Sequence, residues 1–196
     1  MIIPTANLFR TTLKEELLDA WSALKAAHPG ERFYSFGVAI GSCAENFLVT
    51  ASTEEGLVQV ANRYVEESGG DPAQHRMALR WSTGDSPLLD AEMTFLPRSR
   101  ALREEGPDPY DDSPEAEAWF TLVFDAAAQS LAELDREGAF GTDIERAKLV
   151  LSIWGDQSDE EQLAFVRSLN PPAVAKRFAR ELDEGNRASE ALSKVR

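Results

Sequence analysis

The apolar residues of this chain switch between helical and extended period several times, and never in a regular strand–helix–strand alternation. That order constrains the fold more than any single motif, because a doubly wound parallel sheet needs the alternation. Phe9, Leu13, Leu17, Trp21 and Leu24 recur at helical spacing and predict a first helix over residues 8 to 27. His28-Pro29-Gly30 ends it, since the residue before proline disfavours helix and glycine allows the turn. From Phe33 to Ile40 the period drops to two: Tyr34, Phe36, Val38 and Ile40 point one way, Ser35, Gly37 and Ala39 the other. A strand with one small face lets another backbone come close on that side. Phe47 to Ala51 reads as the return strand of a hairpin.

Ser52 stands three residues before Glu55, the spacing of a capping box. Leu57, Val60, Ala61, Tyr64 and Val65 then predict an amphipathic helix, stopped by Ser68-Gly69-Gly70. Met77, Leu79 and Trp81 alternate with Ala78 and Arg80, which predicts a third strand, and residues 88 to 96 are read as a fourth. Arg98 to Pro114, rich in charge and proline, is expected to run over the surface. Ser113-Pro114-Glu115 combines an N-cap, an N1 proline and a first-turn acid, and opens a helix to about Arg136. Leu149, Leu151 and Ile153 alternate in a further short strand. Ser158 and Glu161 repeat the capping-box spacing before a helix that ends at Asn170-Pro171-Pro172, and Val174, Phe178 and Leu182 mark the last helix. The expected fold is α+β: a small, mostly antiparallel sheet of four or five strands packed with about five helices. One domain is expected over residues 1–185, with a polar tail over 186–196.

Charge narrows the functional classes. The chain has 196 residues and a formal net charge of -14. From Glu104 to Asp135 there is no Lys or Arg, while Glu104, Glu105, Asp108, Asp111, Asp112, Glu115 and Glu117 crowd its first half. Affinity for nucleic acid comes from cations that neutralise phosphates, so DNA, RNA and anionic lipid heads are not expected partners. A basic protein would be steered in. The lone Cys43 cannot form an internal disulfide, the N-terminus lacks the pattern of a signal peptide, and no run approaches the roughly 20 apolar residues that span a bilayer. A cytoplasmic location is the expectation.

No motif supplies a catalytic kit. Asp108 to Asp112 lacks the ligand spacing and the glycine of a calcium loop. Two His and one Cys do not make a zinc site, and no phosphate-binding or nucleophile-elbow pattern occurs. No metal, cofactor or catalytic residue is therefore assigned. The segment Arg80-Trp81-Ser82 with Asp85-Ser86-Pro87 is the best single motif: an Arg80–Asp85 ion pair could pin a loop, or Arg80 and Trp81 could anchor a partner or line a cleft.

Several segments together carry a resemblance. Phe33-Tyr34-Ser35-Phe36-Gly37, Ser52-Thr53-Glu54-Glu55-Gly56, Leu79-Arg80-Trp81-Ser82, Leu134 to Gly141 and Leu169-Asn170-Pro171 follow one another in an order that resembles an uncharacterised bacterial family, domain of unknown function 4303. The likeness runs from about Trp21 to Leu182. It implies a compact α+β domain and transfers no catalytic residues. Small acidic families of this kind are similar in general character to immunity proteins that neutralise toxins, an analogy that does not by itself fix function. Three functions follow as expectations: a non-catalytic domain whose acidic face binds a basic protein or toxin, an enzyme with a carboxylate-based site near Arg80 and Asp85, or a structural or adaptor subunit.

Overall fold

The computed structural model describes residues 4–41, 47–108, 110–155 and 157–194. Cys43 and the rest of the expected hairpin turn after Gly41 lie outside these residues, as do Pro109 and Asp156. Helix α1, Ala6–Ala27, starts where Thr5 accepts a hydrogen bond from the Leu8 N–H and buries the five-residue stripe read from its sequence. Strands β1, Phe33–Ile40, and β2, Phe47–Thr53, pair antiparallel. Helix α2, Glu54–Ser68, is capped by Thr53, not Ser52: Thr53 Oγ1 accepts from the Gly56 N–H at 3.0 Å, and Ser52 remains in β2 opposite Ser35. Glu55, the expected capping-box partner, turns to Arg32 and accepts from its backbone N–H and its Nε.

The third and fourth strands do not form. Pro72–Leu79 is helix α3, opened by Asp71, which accepts from the Ala73 N–H, and by Pro72 at the first turn. The cap and the proline outweigh a five-residue alternation. His75 is buried within this helix, Met77 is exposed, and a 3-10 turn, Thr83–Asp85, follows. Residues 88 to 96 lie beside β2, but among the described residues the Asp90 N–H to Val49 carbonyl bond is the one backbone link between them. The Asp90 carboxylate instead collects the Thr94 N–H and hydroxyl and the Phe95 N–H, curling the segment into a side-chain-nucleated turn. The surface excursion contains helix α4, Pro97–Glu104. Its free N–H groups are satisfied from another helix: buried Glu16 of α1 accepts from the N–H groups of Arg98 and Ser99 and from the Ser99 hydroxyl.

Helix α5, Pro114–Arg136, and a short α6, Asp143–Arg146, lead to strand β3, Val150–Trp154. Helix α7, Asp159–Leu169, has the capping box expected from Ser158 and Glu161. Helix α8, Pro172–Ser193, runs on past residue 185, where a polar tail is expected, and buries Gly185 and Ala188. Among the described residues the sheet has three strands in the order β2-β1-β3, and it is mixed, because β3 runs parallel to β1. The fold is therefore α+β, with eight α-helices among the described residues and a smaller sheet than expected. Gly37 makes the close approach its small face implies: a Cβ there would lie 1.8 Å from the Ser152 carbonyl oxygen of β3.

The two sheet faces bury two cores. Phe36, Val38, Ile40, Leu151 and Ile153 face α1 and α5, while Val150 and Trp154 pack with Val166, Val174 and Phe178 of α7 and α8. Tyr34 departs from its expected face. A bulge between Phe33 and Ser35 puts one extra residue on β1, so Phe33 packs on Trp21 of α1 and Tyr34 meets Trp81 across the sheet.

The outer edge of β3 is closed by side chains. The Asn170 amide accepts from the Leu151 N–H at 2.9 Å and donates to the Leu151 carbonyl at 2.7 Å, and Gln162 donates to the Ile153 carbonyl. Asn170→Ala leaves both buried Leu151 groups without partners, at a cost of about 2–5 kcal/mol. Urea unfolding should show a lower midpoint with an unchanged slope. A midpoint within error of wild type would refute this account of the edge.

Candidate functional site

The seven carboxylates of the acidic segment all stay exposed. Glu104 ends α4, Glu105, Asp108, Asp111 and Asp112 occupy the connection, and Glu115 and Glu117 sit in the first turn of α5, where the exposed N–H groups favour negative charge. Among the described residues no Lys or Arg nitrogen comes within 4.0 Å of any of them. Their hydrogen bonds are local. Asp108 accepts from the Tyr110 N–H, and Asp111 accepts from the N–H and hydroxyl of Ser113, whose oxygen in turn caps α5. Tyr110 stands between these acids, 78% exposed. The later acids of the same base-free stretch behave differently. Glu133 is held by Arg10 and Lys14 from α1, and Asp135 by Arg146. The stretch thus divides into an unpaired ridge over 104–117, exposed Asp125 within α5, and the ion-paired Glu133 and Asp135 at its end. The ridge rests on Trp119: Gly106 lies so close that a Cβ would be 2.2 Å from the indole nitrogen.

The second expected site is assembled otherwise than expected. Arg80 does not pair with Asp85. Its guanidinium donates twice to Glu54 of α2, at 3.0 and 2.7 Å, and once to Glu181 of α8, at 3.0 Å. It also lies 4.3 Å from the Tyr34 ring centroid, and the Tyr34 hydroxyl donates to the Arg80 carbonyl. Burial opposes the Arg80 charge, but Glu54 and Glu181 outweigh it and raise the pKa. Asp85 accepts instead from the hydroxyls of Tyr64 and Ser82, at 2.6 Å each. Trp81 stacks on Trp154 and packs edge-on against Phe178. Arg80 and Trp81 therefore clasp α2, α3, α8 and β1 together, and both carboxylates at the guanidinium are engaged in ion pairs. His28 contacts Glu31 and His75 the Gly69 carbonyl. Among the described residues no three His, Cys, Asp or Glu side chains converge as metal ligands, and no helix is long and apolar enough to cross a membrane.

A third feature has no contiguous signal in the sequence. At the amino ends of β1 and β3 lies a groove of about 320 Å³ with Trp21, Phe33, Phe140 and Leu149 in its floor and Lys25 and Lys148 on its rim. Its walls come from α1, β1 and the segment around α6, three regions that only the fold brings together.

The family model described as Domain of unknown function (DUF4303) matches residues 13–171, most of the chain. The chain belongs to that family. The match takes in β1, Arg80 with its Glu54 partner, the acidic ridge and the groove, and reaches the residue after Asn170, so that α8 with Glu181 lies beyond it. No curated protein and no solved structure matches the chain.

The clasp makes a pH prediction. Burial pushes the Tyr34 phenol up to about 12, against about 10 in an unfolded chain. The folded state thus favours the protonated phenol. This stability is fully present below pH of about 10 and is lost as the pH rises to about 12, by on the order of 2–3 kcal/mol. Tyr34→Phe should flatten part of that alkaline limb in urea unfolding followed across pH, while Tyr64, raised by its bond to Asp85, sustains the rest. An unchanged limb in the variant would rule out Tyr34 as its source.

Proposed function

We propose that this member of the DUF4303 family is a cytoplasmic binding domain without catalysis, and that the ridge from Glu104 to Glu117 docks a basic partner protein, as an immunity protein docks a toxin. One observation carries the reading: seven exposed carboxylates have no cation within ion-pair reach among the described residues, although the same chain pairs Glu133, Asp135, Glu54 and Glu181. Their charge is left to act outward. Exposed Tyr110 adds an amphipathic ring of the kind enriched at interface centres. No comparable feature supports the alternatives. The Arg80 region is tied up in a clasp, and the exposed large apolar residues, such as Leu18, Val58, Met77 and Ile144, are spread over α1, α2, α3 and α6.

The partner is sought by pull-down from native lysate at low and moderate salt, and its association is then timed by stopped flow. Reversing Glu105, Asp108, Asp111 and Asp112 to Lys should slow association about tenfold or more at low salt, with the gap closing as salt rises. Dissociation should change much less. Equal association rates for wild type and the reversed variant would overturn the ridge as the docking face.

A further inference from the structure

We propose that the groove at the amino ends of β1 and β3 binds a small organic anion with an aromatic body, such as an aryl carboxylate. The floor is apolar and ordered by its own packing. Trp21 and Phe140 are buried with ring centroids 5.5 Å apart, and Phe33 meets Trp21 edge-on at 5.0 Å. The Trp21 indole N–H donates to the Ala139 carbonyl at 3.0 Å, which fixes the ring against the wall. Such a floor takes a flat apolar body. The volume, about 320 Å³, lies at the small end of ligand sites, which run from roughly 300 to 1,000 Å³. Depressions of about 440 Å³ between α1 and α5 and about 370 Å³ beside α4 have at most one aromatic ring in their walls.

The rim sets the charge of the ligand. Lys25 stands with its ammonium 5.2 Å from the Trp21 ring centroid, and Lys148 faces the groove from the start of β3. Neither has a carboxylate within 4.0 Å among the described residues. The other charges of the lining are largely engaged. Arg32 pairs with Glu55, and Glu31 accepts from the Thr53 hydroxyl and contacts His28. Glu145 is the remaining carboxylate, opposed by two ammonium groups. The backbone that carries Lys148 is pinned, because Arg177 donates to the carbonyls of Ala147 and Lys148 at 2.6 and 2.8 Å. An anionic group at the lysine rim, with its ring on the aromatic floor, uses the uncommitted cations and the apolar surface of the groove.

Fluorescence titration of the full chain with anilinonaphthalene sulfonate, an aromatic anion, tests this against the uncharged N-phenylnaphthylamine. The expected result is saturable one-to-one binding of the sulfonate, displaced by naphthoate. The double variant Lys25→Glu with Lys148→Glu changes two exposed side chains and should keep its far-UV circular dichroism while binding at least tenfold more weakly. A charge-matched control, Lys176→Glu with Lys194→Glu on exposed positions outside the groove, should stay within about twofold of wild type. The proposal is overturned by an absence of saturable binding, by equal weakening in both double variants, or by equally tight binding of the uncharged dye.

Discussion

The polar hub around Asn170 and Arg146 is the constraint on which the rest of the structure depends. A strand at a sheet edge presents a row of unpaired N–H and C=O groups, and among the described residues β3 has no strand beyond it. The amide of Asn170 satisfies both backbone groups of Leu151 and also donates to the Val166 carbonyl. Arg146, buried in α6, then binds the Asn170 side chain, the carbonyls of Leu149 and Leu169, and Asp135 of α5. One guanidinium thus joins α5, α6, β3 and α7, and Asp135 offsets the cost of burying its charge. The opposite edge is treated in a similar way: the β2 carbonyls of Val49 and Ala51 accept from the Asp90 N–H and the Ser86 hydroxyl. With both edges closed by loops and side chains, a three-stranded sheet is complete.

That closure explains what the sequence reveals and what it does not. Helices α1, α5 and α7 are legible because their caps and their apolar stripes are local; Ser113-Pro114 and Ser158 with Glu161 form the caps they spell. The segment from 88 to 96 is legible only in place: it runs alongside β2, but Asp90 offers its backbone closer partners than the ladder does. Alternation over Met77, Leu79 and Trp81 misleads, since five residues cannot outvote an Asp-Pro helix start. Tyr34 shows the sharper limit. Period-two reasoning puts it with Phe36, and a single bulge reverses it, which is what lets its hydroxyl reach Arg80. The cap on α4 comes from Glu16, about eighty residues earlier, and no local pattern announces it.

The acids are sorted by the fold, not by their order in the chain. A base-free run of more than thirty residues reads as one negative segment, yet α1 supplies Arg10 and Lys14 to Glu133, and α6 supplies Arg146 to Asp135. Among the described residues the part carried over α4 and the head of α5, with Asp125 further along α5, keeps its charge unpaired. Asp85 shows the same lesson in reverse: close to Arg80 in sequence, it bonds two hydroxyls, while Arg80 takes carboxylates from α2 and α8. Ion pairs here bind elements together across long sequence separations, and that is the information a linear reading lacks.

For a chain of net charge -14 the proposed docking role of the acidic ridge and the proposed anion site in the groove are compatible, because the reach of charge is short. At physiological salt the field of an exposed charge decays over about 8 Å, so a ligand in the groove responds mainly to the rim beside it. The net charge acts at longer range, on encounter, where it favours a basic macromolecule and disfavours an anionic one. A small anion carries little charge into that field and regains contact energy from the aromatic floor, whereas a nucleic acid would meet the repulsion along its whole length. The same distribution that would repel a polyanion is therefore compatible with the one compact anion proposed for the groove beside Lys25 and Lys148.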